Sequence, residues 1–248
     1  MLTNPFIPLR DADTVIVAGN ADDEVLESLK NLNLKIISTI KCLDVDESIS
    51  YHPDIVIHPV NYNTLVIAPN VYDYYKDALS DTGLKVIKGE KKLGVKYPYD
   101  VAYNVGRMYA IAIHNLEYTD QVLKYYLLRE GLDLVNINQG YSKCSLAIID
   151  EKSAITADKP MFELLKAKGY DMLLIEQGYI ELENQNYGFI GGATGNYSKD
   201  RILISGQLNN HPDKDQILEF IDSKNKKIHI LSTNNIVDIG TIISLNCN

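Results

Sequence analysis

The chain has 248 residues, 46% of them hydrophobic and 23% charged, a balance that describes a folded globular protein and excludes a disordered or collagen-like one. With 33 acidic against 24 basic side chains the net charge is −9, which excludes a basic face of the kind that holds nucleic acid and favours cationic partners instead. Three cysteines (Cys42, Cys144, Cys247) are too few and too odd in number for a disulfide framework, and no apolar run is long enough to span a membrane, so a reducing cytoplasm is the expected setting.

In chain order, the sequence says nearly the same thing five times. The first residues, MLTNPFIPLR, carry neither a leader's apolar core nor a cleavage pattern and read as a strap over residues 1–12. A short apolar strand at Val15–Ala18 is then followed by Gly19-Asn20, a helix over Asp22–Leu32 with Asn20 as cap, and a second strand at Leu34–Ser38. Strand, helix and strand recur at Leu65–Ala68, Tyr72–Asp81 and Leu84–Lys88, with the same 14-residue step from Asn70 to Leu84 as from Asn20 to Leu34. The third set is Ala110–Ile113, Thr119–Glu130 and Leu132–Ile137. The fourth is Ser153–Thr156, a helix capped by Asp158 with Pro160 in its first turn, and Tyr170–Ile175. The fifth is Ile202–Ser205, a helix opened by Asn210 and Pro212, and Lys227–Leu231. Gly83, Gly131 and Gly169 are the expected helix stops.

After each second strand comes a polar loop and a third apolar run: Ile55–Ile57, Val101–Tyr103, Ser145–Ile149, Gly188–Ile190 and Ile239–Ile243. No low-complexity linker interrupts the series, so one domain spanning 1–248 is expected, with repeats at about 13–58, 59–104, 105–149, 150–195 and 196–245. Five α/β units sharing one core close as a ring with a central channel.

This repeat, with the segments His52-Pro-Asp54-Ile, Gln139-Gly-Tyr-Ser-Lys-Cys144-Ser and Gly188-Phe-Ile-Gly-Gly-Ala-Thr-Gly195, resembles the pentein fold, that of the guanidino-group-modifying enzymes. The resemblance covers about residues 13–245 and implies a five-bladed αβ propeller with pseudo-fivefold symmetry. The chain is also similar to a bacterial family of that fold with no assigned function. What the resemblance implies about activity is a Cys-dependent hydrolase or amidinotransferase acting on a guanidinium or amidine compound, with no cofactor. The fold also includes a non-catalytic, ribosome-binding translation initiation factor, so a propeller that binds a protein partner or a small metabolite is the alternative.

In the enzymes of this fold a Cys attacks the guanidinium carbon, a His moves protons and carboxylates hold the cation. Here Cys144 is the candidate nucleophile, at the same place in unit three as Asp54 in unit one and Asp100 in unit two. The enzymes carry their Cys in the last blade and often a His before it, whereas Cys144 lies mid-chain after Lys143. His52 and His58 are the candidate acid/base groups, and Asp54, Asp100, Glu176 and Asn104 the candidate substrate-binding residues. On an extended strand His52, Asp54 and His58 share a face, which opens a metal reading, but the ends of such a set lie about 20 Å apart by strand rise, too far for one ion. Unless the chain turns there, no metal is expected, and a site on His52, Asp54 and His58 is the weakest of the three readings. His114 reads as an exposed turn residue, His211 as part of a helix start, His229 as structural, and Gly188–Gly195 as a tight channel-lining turn. The expected partner is a small cationic metabolite, with a protein partner or a second copy of the chain left open.

Overall fold

The structure is a computed structural model and describes residues 4–247. Among the described residues, fifteen strands form five three-stranded sheets. The first unit contributes β1 (Thr14–Val17), α1 (Asp23–Asn31), β2 (Lys35–Ser38), a single helical turn α2 (Pro53–Val56) and β3 (Ile57–Asn61). The second contributes β4 (Thr64–Ile67), α3 (Tyr72–Ala78), β5 (Lys85–Lys88) and β6 (Gly106–Met108). The third contributes β7 (Ile111–His114), α4 (Gln121–Arg129), β8 (Asp133–Asn136) and β9 (Ala147–Ile148). The fourth contributes β10 (Ser153–Thr156), α5 (Lys159–Ala167), β11 (Asp171–Leu174) and β12 (Thr194–Asn196). The fifth contributes β13 (Arg201–Ile204), α6 (Lys214–Ser223), β14 (Lys227–Ile230) and β15 (Ile243–Leu245).

Within each unit the first and second strands pair in parallel, and the helix between them makes the crossover that parallel pairing requires. The third strand leaves its own unit. β3 pairs antiparallel with β4, β6 with β7, β9 with β10 and β12 with β13, while β15 returns to β1 and closes the ring. The blades therefore run across the sequence repeats, and each unit is tied to the next by backbone hydrogen bonds. The first strands are buried along almost their whole length, as continuous apolar runs such as Val15-Ile16-Val17 and Leu65-Val66-Ile67 demand. The second strands carry polar or charged residues at one or both ends and are only partly buried, as in Lys85-Val86-Ile87-Lys88, because they lie at the edge of each sheet.

Helix ends follow local chemistry. Asp22, Asp120 and Asp158 accept from backbone N–H groups of the first turns of α1, α4 and α5. Asp22 thus takes the cap expected of Asn20, and α6 begins at Lys214 after Asp213 rather than at Asn210, because Asp213 N–H is taken by His211 Nδ1 in a turn before the helix. Gly131 and Gly169 adopt positive φ just past the caps of α4 and α5, and Asn33 and Asn225 supply the same left-handed residue after α1 and α6; α3 ends earlier than the sequence suggests, at Ala78, so Gly83, also at positive φ, lies beyond its cap Leu79 and does not stop it.

The third strands begin later than the sequence pattern suggests. Ile55 belongs to α2, Val101–Tyr103 and Gly188–Ile190 lie in loops, and the pairing segments are Ile57–Asn61, Gly106–Met108 and Thr194–Asn196. In each case the apolar run is buried by the loop folding inward over the ring, so burial without strand geometry produced the pattern. The amino-terminal residues reach the same centre: Asn4, Phe6 and Ile7 are buried, and the Phe6 ring meets His58 edge-on at 5.6 Å and underlies the Lys143 ammonium at 5.3 Å. No helix among the described residues is long and apolar enough to cross a membrane.

Candidate active site

The residues immediately before the five third apolar runs are Asp54, Asp100, Cys144, Tyr187 and Asp238. Four of them, Asp100, Cys144, Tyr187 and Asp238, line one cavity of about 440 Å³, and the fifth, Asp54, lies against the cysteine. The ring thus presents one side chain from each unit at a common centre.

Cys144 is held from three directions. Asn104, fully buried, accepts from the N–H groups of Lys143 and Cys144 through Oδ1, and through Nδ2 donates to Cys144 Sγ at 3.0 Å and to the Asp54 carbonyl. The thiol donates to Asp54 Oδ2 at 3.1 Å, while Asp54 Oδ1 has no hydrogen-bond partner. Lys143 points its ammonium at the Gly191 carbonyl (3.0 Å) and Thr241 Oγ1 (2.8 Å). That approach explains the glycines after Phe189. A Cβ on Gly191 would stand 2.5 Å from the carbonyl oxygens of Lys143, Cys144 and Leu146, and one on Gly192 would run into the Asp238 carboxylate.

Burial sets the electrostatics. It pushes the Cys144 thiol well above its ordinary value, and the charges of Asp54 and Asp238 push it further. Burial also raises Asp54, against the pull of Lys143 and His52, and lowers Lys143 against the pull of Asp54 and Cys144. Burial thus favours the protonated thiol, which donates to Asp54 Oδ2. Asp100 is raised by burial as well; its Oδ2 accepts from Tyr141 OH at 2.7 Å and its Oδ1 has no partner.

Residues 52, 54 and 58 do not share a strand face. His52 precedes α2, Asp54 lies within that turn, and His58 follows in β3, because Pro53 starts a helix rather than continuing an extended run. His52 lines the cavity with Cys144; its Nδ1 lacks a hydrogen-bond partner and lies 3.8 Å from Asp238 Oδ1. His58 is not among the lining residues. Its Nδ1 meets the Tyr103 carbonyl at 3.2 Å, and burial together with the Arg107 charge holds it well below the usual imidazole range. Glu176 is exposed, and its backbone N–H donates to Asp213 on the outer side of unit five. Asn104 faces the cysteine backbone rather than the cavity. His114 is buried in β7 between Thr119 and the Gly140 carbonyl, at 2.7 Å from each, and burial lowers it to about 4. Among the described residues no group of three His, Cys, Asp or Glu side chains is arranged to hold a metal ion.

Asp238 was not singled out in the sequence, although it occupies in unit five the place that Asp54 and Asp100 occupy in units one and two. Its carboxylate is fixed by the N–H groups of Phe189 (2.8 Å) and Gly240 (2.9 Å). Tyr97, Tyr141, Tyr187 and Phe189 supply aromatic walls, with the Tyr141 ring 5.8 Å from Tyr97 and 6.0 Å from Phe189. No single motif announces them.

The profile of a family of unknown function, DUF6873, matches residues 16–243. The chain belongs to this family. Among solved structures it is similar to the inosamine-phosphate amidinotransferase StrB1 from Streptomyces griseus, with a TM-score of 0.58 and 9% identity over 98% of this chain and 96% of that one. It is similar also to the C. jejuni agmatine deiminase (TM-score 0.56, 11% identity, 96% and 94% coverage). A third is DDAH from Pseudomonas aeruginosa, a C249S mutant complexed with citrulline (TM-score 0.52, 10% identity, 90% and 92% coverage). No curated protein matches the chain. At these identities the likeness establishes the fold: this member of DUF6873 is a five-bladed αβ propeller of the pentein type.

Proposed function

We propose that this protein binds a small guanidinium or amidine compound in the 440 Å³ cavity and modifies it through the Cys144 sulfur. The observation that carries the reading is the contact of Cys144 Sγ with Asp54 Oδ2 at 3.1 Å, beside a cavity that His52 lines. Asp46, Asp100 and Asp238 line that cavity against one exposed lysine, Lys96, so the space favours a cation. Its aromatic walls suit a planar, delocalised one. The shared fold with proteins named as an amidinotransferase and an agmatine deiminase supports the same class.

The chemistry follows from charge. Without ligand the thiol stays protonated under two carboxylates. A guanidinium placed above Sγ adds the missing positive charge and lowers the thiol pKa. The proton passes to Asp54, already its acceptor, and the thiolate attacks the central carbon. The S–C bond forms as a C–N bond breaks, and the departing nitrogen takes a proton from His52. Water or an amine then attacks the amidino carbon and gives a proton to His52, which is restored; the C–S bond breaks as the thiolate leaves, and the sulfur is reprotonated from Asp54.

The test is labelling with 2-chloroacetamidine, a reactive guanidinium mimic, followed by mass spectrometry. The reading expects one adduct on Cys144, faster than with the neutral iodoacetamide and slowed by free guanidinium compounds. No adduct on Cys144 at neutral pH, with Cys247 modified instead, would overturn it.

A further inference from the structure

The turn at Lys143 and Cys144 faces two spaces. Cys144 lines the 440 Å³ cavity, while Lys143 lines a separate residual space of about 10 Å³ together with Phe6, Asn196 and Thr241. Lys143 is 3% exposed, and among the described residues its ammonium has no carboxylate within ion-pair distance. Its two hydrogen-bond partners are neutral oxygens, the Gly191 carbonyl and Thr241 Oγ1, and that hydroxyl donates its own proton to the Thr194 carbonyl at 2.7 Å. What covers the ammonium beyond these is the Phe6 ring, its centroid 5.3 Å from Nζ. A buried ammonium with neutral partners alone is unfavourable, and an aromatic face adds an electrostatic attraction that an aliphatic plug does not.

The amino-terminal strap holds that ring in a fixed place. Phe6 N–H donates to Asn4 Oδ1 at 3.2 Å, and the Phe6 carbonyl accepts from Asn196 Nδ2 at 3.2 Å. Asn4, fully buried, donates onward to the Arg107 carbonyl at 3.4 Å, and Tyr62 OH donates to the Ile7 carbonyl at 3.0 Å. Asn196 is itself fixed by Lys226 Nζ at 2.6 Å and by the Ile148 carbonyl at 2.9 Å. Anchors from β6, from β12 and from the turn between β3 and β4 thus fix the backbone on both sides of one aromatic residue. The charges acting on Lys143 are those of Asp54, Cys144 and Asp238. His58 meets the Phe6 ring edge-on, and burial with the Arg107 charge keeps it uncharged.

We infer that Phe6 is a positioning residue of the Cys144 site: its ring face keeps the Lys143 ammonium charged and seated behind the sulfur. The inference rests on the reading of Cys144 as the reacting group, because a charge behind the sulfur matters only where the sulfur reacts. Phe6 is not among the residues lining the 440 Å³ cavity, so it acts through Lys143, whose charge draws the thiol down. The strap is then part of the reactive centre rather than a cover over it.

The test replaces Phe6 by Leu and, separately, by pentafluorophenylalanine, which keeps the ring's shape and reverses the charge distribution of its face. The full chain is made with isotope-labelled lysine; the NMR resonance of Lys143 Cε is identified by its loss in Lys143→Met and followed against pH. Both replacements should lower the Lys143 midpoint by about one pH unit, a tenfold gain in acidity. Both should raise the Cys144 midpoint, read from thiolate ultraviolet absorbance against Cys144→Ala, and neither should raise it further in Lys143→Met. A Lys143 midpoint left unmoved by pentafluorophenylalanine overturns the inference, since the ring then only fills space. So does a fall at Lys143 with no change at Cys144, and so does a Cys144 shift that persists in full in Lys143→Met. If both midpoints move as expected while 2-chloroacetamidine leaves Cys144 unmodified, the guanidinium chemistry fails and the coupling of Phe6 to the thiol stands.

Discussion

Asp54 and Cys144, ninety residues apart, form a hydrogen bond from thiol to carboxylate at 3.1 Å in the centre of the ring. Neither side chain is more than 2% exposed. The Lys143 charge acts on both partners, raising neither: it draws down the carboxyl of Asp54 and the thiol of Cys144 alike. Thiol reactivity is therefore set by a balance of nearby charges that single substitutions can tip in opposite directions.

Asp54→Asn removes a negative charge beside the sulfur and makes the thiolate easier to form. The pH midpoint of Cys144 alkylation by neutral iodoacetamide should fall. Lys143→Met removes a positive charge and should raise the midpoint, while also costing about 1–3 kcal/mol because the Gly191 carbonyl and Thr241 hydroxyl lose their donor. Rates measured against pH on the two variants and wild type give three ordered curves. A shift of both variants in one direction would show that burial alone governs the thiol.

Asp100 Oδ1 has no hydrogen-bond partner while Oδ2 is anchored by Tyr141 OH, so under the proposed function Asp100 is the carboxylate that meets the cation. Asp100→Asn should weaken binding of a guanidinium compound in the Cys144 cavity about tenfold or more, the worth of one charge-assisted hydrogen bond. Tyr141→Phe leaves the carboxylate charged and should cost less. Dissociation constants by calorimetry on Cys144→Ala backgrounds separate binding from reaction.

The sequence carried the ring because burial and capping are local. Apolar runs at a fixed period, Asp158 before Pro160, and glycines after helices each reflect one segment's own chemistry. Strand exchange between units was not legible, since antiparallel pairing of β3 with β4 depends on which neighbour lies across the loop. Which side chains meet at the centre of the ring was legible where position within the repeat decided it, at Asp54, Asp100 and Cys144. Carrying the same position to unit five would have named Asp238. Asn104 as a clamp on Cys144 was hidden because a buried amide and a ligand-binding one look alike in sequence, and only contact with the 143–144 backbone tells them apart. The many tyrosines likewise gained meaning only when three of them, Tyr97, Tyr141 and Tyr187, proved to line one cavity.

Acid should destabilise the fold through its buried imidazoles. Burial lowers His114 to about 4 in the folded protein, whereas the unfolded chain titrates near the ordinary 6.5. Between those values the unfolded state binds the extra proton, so stability is present above pH 6.5 and lost as pH falls toward 4, by about 3 kcal/mol. His58, lowered in the same sense, adds to the loss. Asp54 works the other way: burial favours its protonated form in the fold, so its contribution is present at low pH and fades as pH rises through its raised value. Urea midpoints at pH 7 and pH 5 should differ clearly in wild type and less in His114→Gln, which begins from a lower stability but lacks the titrating ring. An equal pH dependence in both proteins would refute the assignment.

Two glycine substitutions separate steric from conformational cost. At Gly83 an added Cβ meets nothing within 4 Å, so Gly83→Ala is strained only by its φ of +72°, worth about 1 kcal/mol. At Gly191 the Cβ would press on the carbonyls of Lys143, Cys144 and Leu146. Those oxygens cannot retreat freely: Leu146 N–H donates to the Lys143 carbonyl and Gly192 N–H to that of Cys144. The clash must be relieved by moving the turn that carries the sulfur. Gly191→Ala should therefore cost roughly 1–3 kcal/mol and also slow Cys144 labelling by 2-chloroacetamidine, because the sulfur shifts from its place in the cavity wall. Gly83→Ala should lose stability with labelling unchanged. If Gly191→Ala labelled at the wild-type rate, the close packing of residues 189–192 against the Cys144 turn would be irrelevant to the position of the sulfur.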